Sequence, residues 1–112
     1  MTEFIHKKPE EISFSTGGAD GFTFPIKNKK VEIDFIDCRT GHGRKVISDS
    51  LTHIYYILEG SAEFEIDDKF YHVSSGELVE IPPKHSFNYV GKMKALLIME
   101  PPHSPEEVRG VE

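Results

Sequence analysis

Histidine and tyrosine side chains at alternating positions are the residues of this sequence best suited to chemistry. His53 and Tyr55 are separated by Ile54, so in a β-strand both side chains point to the same side. Phe87 and Tyr89 have the same spacing further along the chain. Imidazole and phenol groups beside aromatic rings could together bind a small polar or aromatic molecule.

Each of these residues also has a purely structural interpretation. A lone interior histidine is often a neutral, hydrogen-bonded core residue, and inward aromatic side chains often only fill a core. His42 and Arg44 flank Gly43 in a predicted loop, where we expect a solvated turn; the alternative is that they guard the mouth of the barrel. Spacing alone leaves both interpretations open.

Several other chemistries have no motif in the sequence. There is no glycine-rich phosphate loop, no Gly-x-Ser-x-Gly and no Cys-x-x-Cys. Cys38 is the single cysteine, so an internal disulfide is excluded, and a reducing cytoplasmic location is the expectation.

Length and charge narrow the classes of partner. A chain of 112 residues supports one domain with its own core. The net charge is −6 and no basic block is longer than Lys29-Lys30, so we expect no nucleic acid partner. The longest apolar runs have five residues, whereas a bilayer needs about 20. We therefore expect no membrane association.

The elements that must position the candidate residues are short β-strands. Apolar and polar residues alternate along 31–36 and 62–67, and glycine or proline turns recur every eight to twelve residues. Residues 54–58 are apolar at every position, which favours a strand buried on both faces. This pattern predicts an all-β sandwich or barrel.

Two groups of residues resemble the sequence motifs of the cupin superfamily. The first group has the spacing of the first motif and consists of Gly41, Ile47, Asp49, His53 and Gly60; the second consists of Gly76, Pro82, Lys84, Phe87 and Gly91. Fifteen residues lie between the two groups, which resembles small bacterial cupins. The resemblance covers about residues 30–102. It implies a cupin-type jelly-roll β-barrel, or double-stranded β-helix, with N-terminal strands and a short C-terminal tail.

The resemblance also suggests how the chain is organised. We divide it into an N-terminal extension (1–30), a cupin barrel (31–102) and a C-terminal tail (103–112). Cupin barrels often pair side by side and exchange N-terminal strands. The extension carries apolar residues with no evident place in the barrel, namely Phe4, Ile5, Ile12, Phe14, Phe22 and Phe24. We therefore predict a homodimer in which the extension packs on the partner or is exchanged with it.

The metal-ligand positions of the two motifs depart from the family pattern. Cupins that bind a metal use two histidines and a glutamate of the first motif and a histidine of the second. Here these positions hold Ile47, Asp49, His53 and Phe87, and neither isoleucine nor phenylalanine binds a metal.

His85 is the candidate for a third metal ligand. It lies two residues before Phe87, so strand alternation puts both on one face. A set of Asp49, His53 and His85 would suit a divalent transition metal such as Fe, Mn, Ni or Zn. The alternative places Asp49 in the turn 48–50 and His85 at the mouth of the barrel.

Three functions remain open at this point. In the first, the barrel binds a small polar or aromatic ligand without an obligatory metal, through His53, Tyr55, His85, Phe87 and Tyr89. In the second, it is a metal-dependent enzyme, resembling dioxygenase or isomerase cupins, that uses the non-standard ligand set. In the third, the barrel is filled by its own side chains and is a structural or interaction module. The sequence decides neither the cofactor nor whether the protein is an enzyme.

Overall fold

A computed structural model describes residues 4–103 and 108–111. Its strands are β1 (Phe14–Thr16), β2 (Gly18–Thr23), β3 (Glu32–Gly41), β4 (Val46–Ser48), β5 (Thr52–Ile66), β6 (Lys69–Ser74), β7 (Leu78–Ile81), β8 (Phe87–Glu100) and β9 (Val108–Gly110). Within the described residues no helix has the length and apolar character needed to cross a membrane. The all-β prediction is confirmed.

One curled antiparallel sheet contains all of these strands. The strand order along one path is β1-β2-β3-β8-β4-β9, and β5 joins this path by pairing with β8. The other edge of β5 pairs with β6 and β7. Because β8 lies between β3 and β5, the inward side chains of these three strands face a common interior.

The two longest strands bend where glycine allows close approach of the backbones. The β5–β8 register shifts between Ile57 and Glu59, directly before Gly60, which has a φ of +81°. A Cβ atom at Gly60 would lie 2.2 Å from the carbonyl oxygen of Lys92 on β8. Only glycine fits this crossing without displacing the partner strand.

Side chains alternate between the interior and the outer face of the sheet. His53, Tyr55 and Ile57 on β5 are buried, whereas Tyr56 and Leu58 between and after them are each 40% exposed. The expectation that residues 54–58 are buried on both faces is therefore wrong. In the part of the chain that the structure describes, no second layer covers Tyr56 and Leu58 on the outer face of β5, so a continuous apolar run does not indicate two buried faces in this sheet.

Part of the N-terminal extension belongs to the barrel sheet. Strands β1 and β2 pair with each other, and β2 pairs with β3 of the same chain over Gly18–Thr23. At the other end of the chain, β9 pairs with β4 over Val108–Gly110. Both terminal segments thus extend the sheet around the interior, and exchange of strands with a partner stays a prediction.

Candidate functional site

The curled sheet encloses a cavity of about 690 Å³. His53 and Tyr55 reach it from β5, Phe87 and Tyr89 from β8, and His42 from the loop after β3. Strand alternation explains why the four strand residues point into the cavity. His53 and Tyr55 on β5, like Phe87 and Tyr89 on β8, are two positions apart, and the residues between them point outward. The volume is large enough for a small organic ligand.

Four aromatic rings pack together at this cavity, and three of them, Tyr55, Phe87 and Tyr89, line it. The Tyr55 ring centroid lies 5.4 Å from that of Tyr89, 5.4 Å from that of Phe64 and 6.1 Å from that of Phe87. The Tyr55 contacts are edge-on, a favourable geometry for aromatic rings. The Phe87 side chain points inward and is 1% exposed.

His42 lies over this cluster with a defined proton position. Its ring packs 5.4 Å from Tyr89 and 5.9 Å from Phe87, and its Nδ1 is 2.9 Å from the carbonyl oxygen of Arg44. A carbonyl oxygen only accepts, so Nδ1 carries the proton and donates it. In neutral His42 the lone pair is therefore on Nε2. Burial lowers the pKa of His42, which favours this neutral form.

His53 is the most deeply buried histidine of the cavity. It is 5% exposed, and its ring lies 4.9 Å from that of Phe87. Burial, together with the nearby His42 and His103, lowers the pKa of His53 to about 4. His53 is therefore a neutral imidazole near pH 7.

The two tyrosines are neutral phenols across the physiological pH range. Burial raises the pKa of Tyr55 well above its ordinary value, and the neighbouring Tyr89 adds to this effect. Burial is also the main cause that raises the pKa of Tyr89. Neutral phenols in a partly apolar cavity can donate hydrogen bonds to a ligand oxygen.

His85 does not line the cavity that contains the other four predicted ligand-binding residues. It lies in a separate depression, where its Nδ1 interacts with a carboxylate oxygen of Asp67. Lys84, the residue before it, has a φ of +73°, so the chain turns here instead of continuing the alternation of β8. The parity argument from Phe87 failed because the strand begins only at that residue.

The residues predicted as metal ligands are not brought together. Asp49 is exposed and accepts hydrogen bonds from the Arg109 guanidinium, with N···O distances of 3.0 and 3.4 Å. His53 is inside the cavity and His85 is in the other depression. Throughout residues 4–103 and 108–111, no group of three His, Cys, Asp or Glu side chains could hold a metal ion. The donor set thus does not fit the metal that many cupins bind.

His42 is the cavity residue that sequence reasoning missed. The expectation of a solvated turn is wrong for it, since its ring packs on Phe87 and Tyr89. Its backbone N–H donates to the Tyr89 carbonyl oxygen at 2.9 Å, which extends the pairing beyond β3. Parity gave no signal for it, because the alternation of β3 breaks before His42: Thr40 is exposed and Gly41 is buried.

The family of the protein is identified by a match to a family model. Residues 35–91 match the family model of AraC-like ligand binding domains, and the chain belongs to this cupin-type family. An uncharacterized protein of Methanocaldococcus jannaschii is 36% identical over 63 residues, which are 53% of this chain and 50% of that protein. The chain thus spans about half the length of this curated relative.

Solved structures show that the fold is the cupin barrel. The Streptomyces protein Pac13, solved as its Y55F variant with uridine, has a TM-score of 0.90 at 19% identity, over 100% of this chain and 93% of that chain. The polyketide cyclase RemF from Streptomyces resistomycificus has a TM-score of 0.74 at 20% identity, over 100% of this chain and 84% of that chain. An RmlC-like cupin from Shewanella frigidimarina has a TM-score of 0.67 at 18% identity, over 86% of each chain. The predicted cupin-type jelly roll is confirmed.

Pac13 is described as a nucleoside dehydratase. Three structures of Pac13 with uridine each carry one substitution, namely Y55F, H42Q or Y89F. This chain has the same residue types at the same three numbers, and all three line the cavity described above.

Proposed function

We propose that the protein binds a nucleoside-like molecule in its cavity and eliminates water from it by acid–base chemistry that needs no metal. The substrate class is a nucleoside whose sugar carries a hydroxyl group β to a carbonyl group. The ligand-binding family and the confirmed cupin barrel supply the framework for this proposal.

One observation carries the proposal. His42, Tyr55 and Tyr89 converge in one cavity, where the Tyr89 ring centroid lies 5.4 Å from each of the other two. Fold likeness at 18–19% identity gives no function by itself. The combination of residue type, position and convergence in the cavity is what supports the comparison with the uridine-bound Pac13 variants.

His42 has the properties that a general base needs. Its Nδ1–H is held by the Arg44 carbonyl oxygen, so Nε2 is the atom that accepts a proton. Nε2 would take the proton from the carbon next to the substrate carbonyl. The electron pair of that C–H bond moves into the bond to the carbonyl carbon, which places negative charge on the carbonyl oxygen. When this charge returns to re-form the carbonyl group, the new carbon–carbon double bond forms and the C–O bond to the β-hydroxyl breaks. The hydroxyl then leaves as water with a proton from the imidazolium.

Tyr55 and Tyr89 would stabilise the charge that develops on the carbonyl oxygen. Both phenols stay protonated because burial raises their pKa values. A neutral donor inside a partly dry cavity stabilises a developing oxyanion more strongly than it would in water. Removing one such donor typically costs about a hundredfold or more in rate.

The experiment compares two neighbouring tyrosines on opposite faces of β5. Tyr55 is inside the cavity, whereas Tyr56 is 40% exposed on the outer face, so Tyr56→Phe is the matched control. We expect Tyr55→Phe to weaken uridine binding about tenfold in a calorimetric titration, the equivalent of one hydrogen bond. Tyr56→Phe should bind like the wild type.

Turnover is tested with nucleosides that carry the β-hydroxycarbonyl group. The product is followed by its new double bond and by a mass loss of one water. We expect wild-type protein to form it and His42→Gln to lose at least about a hundredfold of the rate, the usual scale of general base catalysis. Equal rates for both proteins would contradict the role of His42, and equal uridine affinity for the Tyr55→Phe and Tyr56→Phe variants would contradict the site.

A further inference from the structure

His53 is a cavity residue that the proposed chemistry does not use. Its side chain is 5% exposed and lines the cavity beside Phe87. Neither of its ring nitrogens forms a hydrogen bond with any residue that the structure describes. A buried polar group without a partner costs free energy, and a histidine with a purely structural role is usually hydrogen-bonded. Both nitrogens are therefore available to a molecule in the cavity.

The ring of His53 is neutral, which restricts the role it can have. Burial, with smaller contributions from His42 and His103, lowers the pKa of His53 to about 4. A group with this pKa is a poor general base compared with one whose pKa is near 7. A neutral imidazole does have one N–H donor and one nitrogen acceptor. His53 is thus suited to hydrogen bonding with an uncharged polar group.

His53 is set apart from the residues to which the proposed function assigns the sugar. Among the described residues, its one ring contact is with Phe87, at 4.9 Å between centroids. His42 and Tyr55 instead each contact Tyr89, at 5.4 Å. His53 and this histidine–tyrosine cluster thus occupy different parts of one cavity, and Phe87 contacts both parts.

Two apolar side chains line the wall next to His53. Met99 pairs with His53 across β5 and β8, and Leu97 pairs with Tyr55 two residues further along the same strands. Both side chains are buried and both line the cavity. An apolar wall that begins at a tyrosine and ends at an imidazole suits a flat ring with a polar edge.

We propose that His53 recognises the base of the nucleoside-like ligand. The reacting sugar lies at the histidine–tyrosine cluster, the base packs against Leu97 and Met99, and the ring of His53 forms a hydrogen bond with the polar edge of the base. This inference rests on the proposed function, because that function places the sugar and leaves the remaining part of the cavity for the base.

The chemistry of a base edge agrees with this assignment. Uracil presents carbonyl oxygens that accept hydrogen bonds and an N–H group that donates one. Proteins that bind unpaired bases form hydrogen bonds with this edge and pack the faces of the base against apolar or aromatic side chains. A neutral imidazole can pair with either kind of group, through its N–H or through its lone pair. The ligand class is therefore a nucleoside whose base has such an edge.

Water is the competing partner for His53. A water molecule in the cavity can also satisfy a buried imidazole, and the role of His53 would then be structural. The two partners differ in one measurable respect. A bound base makes ligand affinity depend on the nitrogens of His53 and on the polar edge of the base together, whereas water does not.

The test compares uridine with a riboside that carries a phenyl ring in place of uracil. The two ligands have the same sugar, but the phenyl ring has no polar edge. We expect calorimetric titration of the wild type to show about a tenfold preference for uridine, the scale of one hydrogen bond. His53→Phe removes both ring nitrogens, so it should weaken uridine binding and reduce the preference to within about twofold.

Three further variants serve as controls. His53→Gln retains a donor and an acceptor and should keep most of the preference. His72→Phe makes the test substitution at an exposed histidine of β6 and should keep the tenfold preference. Unchanged affinity of His53→Phe for the phenyl riboside shows that its cavity is intact, and His53→Leu takes its place if that variant does not fold.

A second measurement uses the wild-type protein with ¹⁵N-labelled histidine side chains. The ring nitrogens of His53 are identified in the NMR spectrum as the signals that are missing in His53→Gln. We expect uridine to shift at least one of them and the phenyl riboside to leave both nearly in place. Shifts of the same size with both ligands, or with neither, would overturn the inference.

Tyr55→Phe distinguishes failure of this inference from failure of the proposed function. Tyr55 belongs to the sugar site, so its substitution should weaken both ribosides equally and keep the preference. A tenfold preference that survives in His53→Phe would overturn base recognition by His53 while the proposed function stands. If the wild type binds neither riboside, the proposed function fails and base recognition by His53 fails with it.

Discussion

Phe87 occupies the position at which metal-binding cupins have their last histidine, and it lies between two histidines of the cavity. Its ring centroid is 4.9 Å from that of His53 and 5.9 Å from that of His42. A phenylalanine cannot bind a metal, and here its ring packs against the tyrosine cluster. The same residue thus explains both the lost metal site and the aromatic cluster.

Phe87→His should create a metal site from this arrangement. The substitution puts a third imidazole between His42 and His53, and three histidines suit zinc or nickel. We expect tight, saturable binding of added nickel by the variant and weak binding by the wild type, measured by calorimetric titration. Without metal the variant should lose about 1–3 kcal/mol of stability, because apolar contacts are removed.

Phe87→Leu is the control for this experiment. It removes the ring without adding a ligand, so it should lose stability without gaining nickel affinity. Tight nickel binding by the wild type would contradict the account, because it would mean that the unsubstituted cavity already holds a complete ligand set.

At the scale of the strands, the position of the cavity depends on how β5 and β8 cross. The bend at Gly60 lets β5 turn from the His53–Tyr55 segment to the segment that pairs with β6. Gly60 and Gly76 both have a positive φ, +81° and +88°. Their surroundings differ, however, because a Cβ at Gly76 would have no atom within 4 Å.

This difference predicts unequal effects of alanine at the two glycines. Gly76→Ala should cost about 1 kcal/mol, from backbone strain alone. Gly60→Ala adds a collision with the Lys92 carbonyl oxygen and should cost about 3 kcal/mol or more. Thermal melting measures both, and equal losses would show that the strand crossing tolerates the extra atom.

The sequence allowed good prediction wherever alternation was regular. Inward positions of β5 and β8 followed from the spacing of His53, Tyr55, Phe87 and Tyr89. Prediction failed where a strand begins or ends, since period 2 has no meaning in a turn. His85 precedes the first residue of β8, and His42 follows the last residue of β3, so strand parity placed neither side chain correctly.

At the scale of the whole molecule, stability should depend on pH through the buried histidine. The pKa of His53 is lowered to about 4 in the folded state, so between about pH 4 and 6.5 the unfolded chain binds more protons. The contribution of His53 is present above that window and is lost as the pH falls through it. Asp34 acts in the opposite direction over the same range, because burial raises its pKa to about 8.

His53→Gln separates these two effects. It keeps a polar group but does not titrate, so lowering the pH from 6.5 to 4.5 should cost the variant less stability than the wild type. The expected difference is on the order of 2 kcal/mol and is measured by denaturant unfolding at both pH values. His72→Gln, at an exposed site, should behave like the wild type. An identical pH response of the His53 variant would contradict the neutral buried imidazole.

The homodimer stays a prediction at this scale. Large apolar side chains are exposed on the outer face of the sheet, including Phe70, Leu78 and Val90, and on the N-terminal segment at Ile12. Burying such surface between two copies would stabilise a dimer. Light scattering at high micromolar concentration should give twice the chain mass of 12.7 kDa, and a mass of one chain would contradict the prediction.

The central claim is that the cavity around His42, Tyr55 and Tyr89 binds a nucleoside-like ligand without a metal. Its most direct test is a calorimetric titration of uridine into wild-type protein that has been treated with a chelator and dialysed. The account predicts saturable binding with one site per chain, at an affinity that added nickel or zinc does not increase. Absence of binding, or binding that appears only after a metal is added, would contradict it.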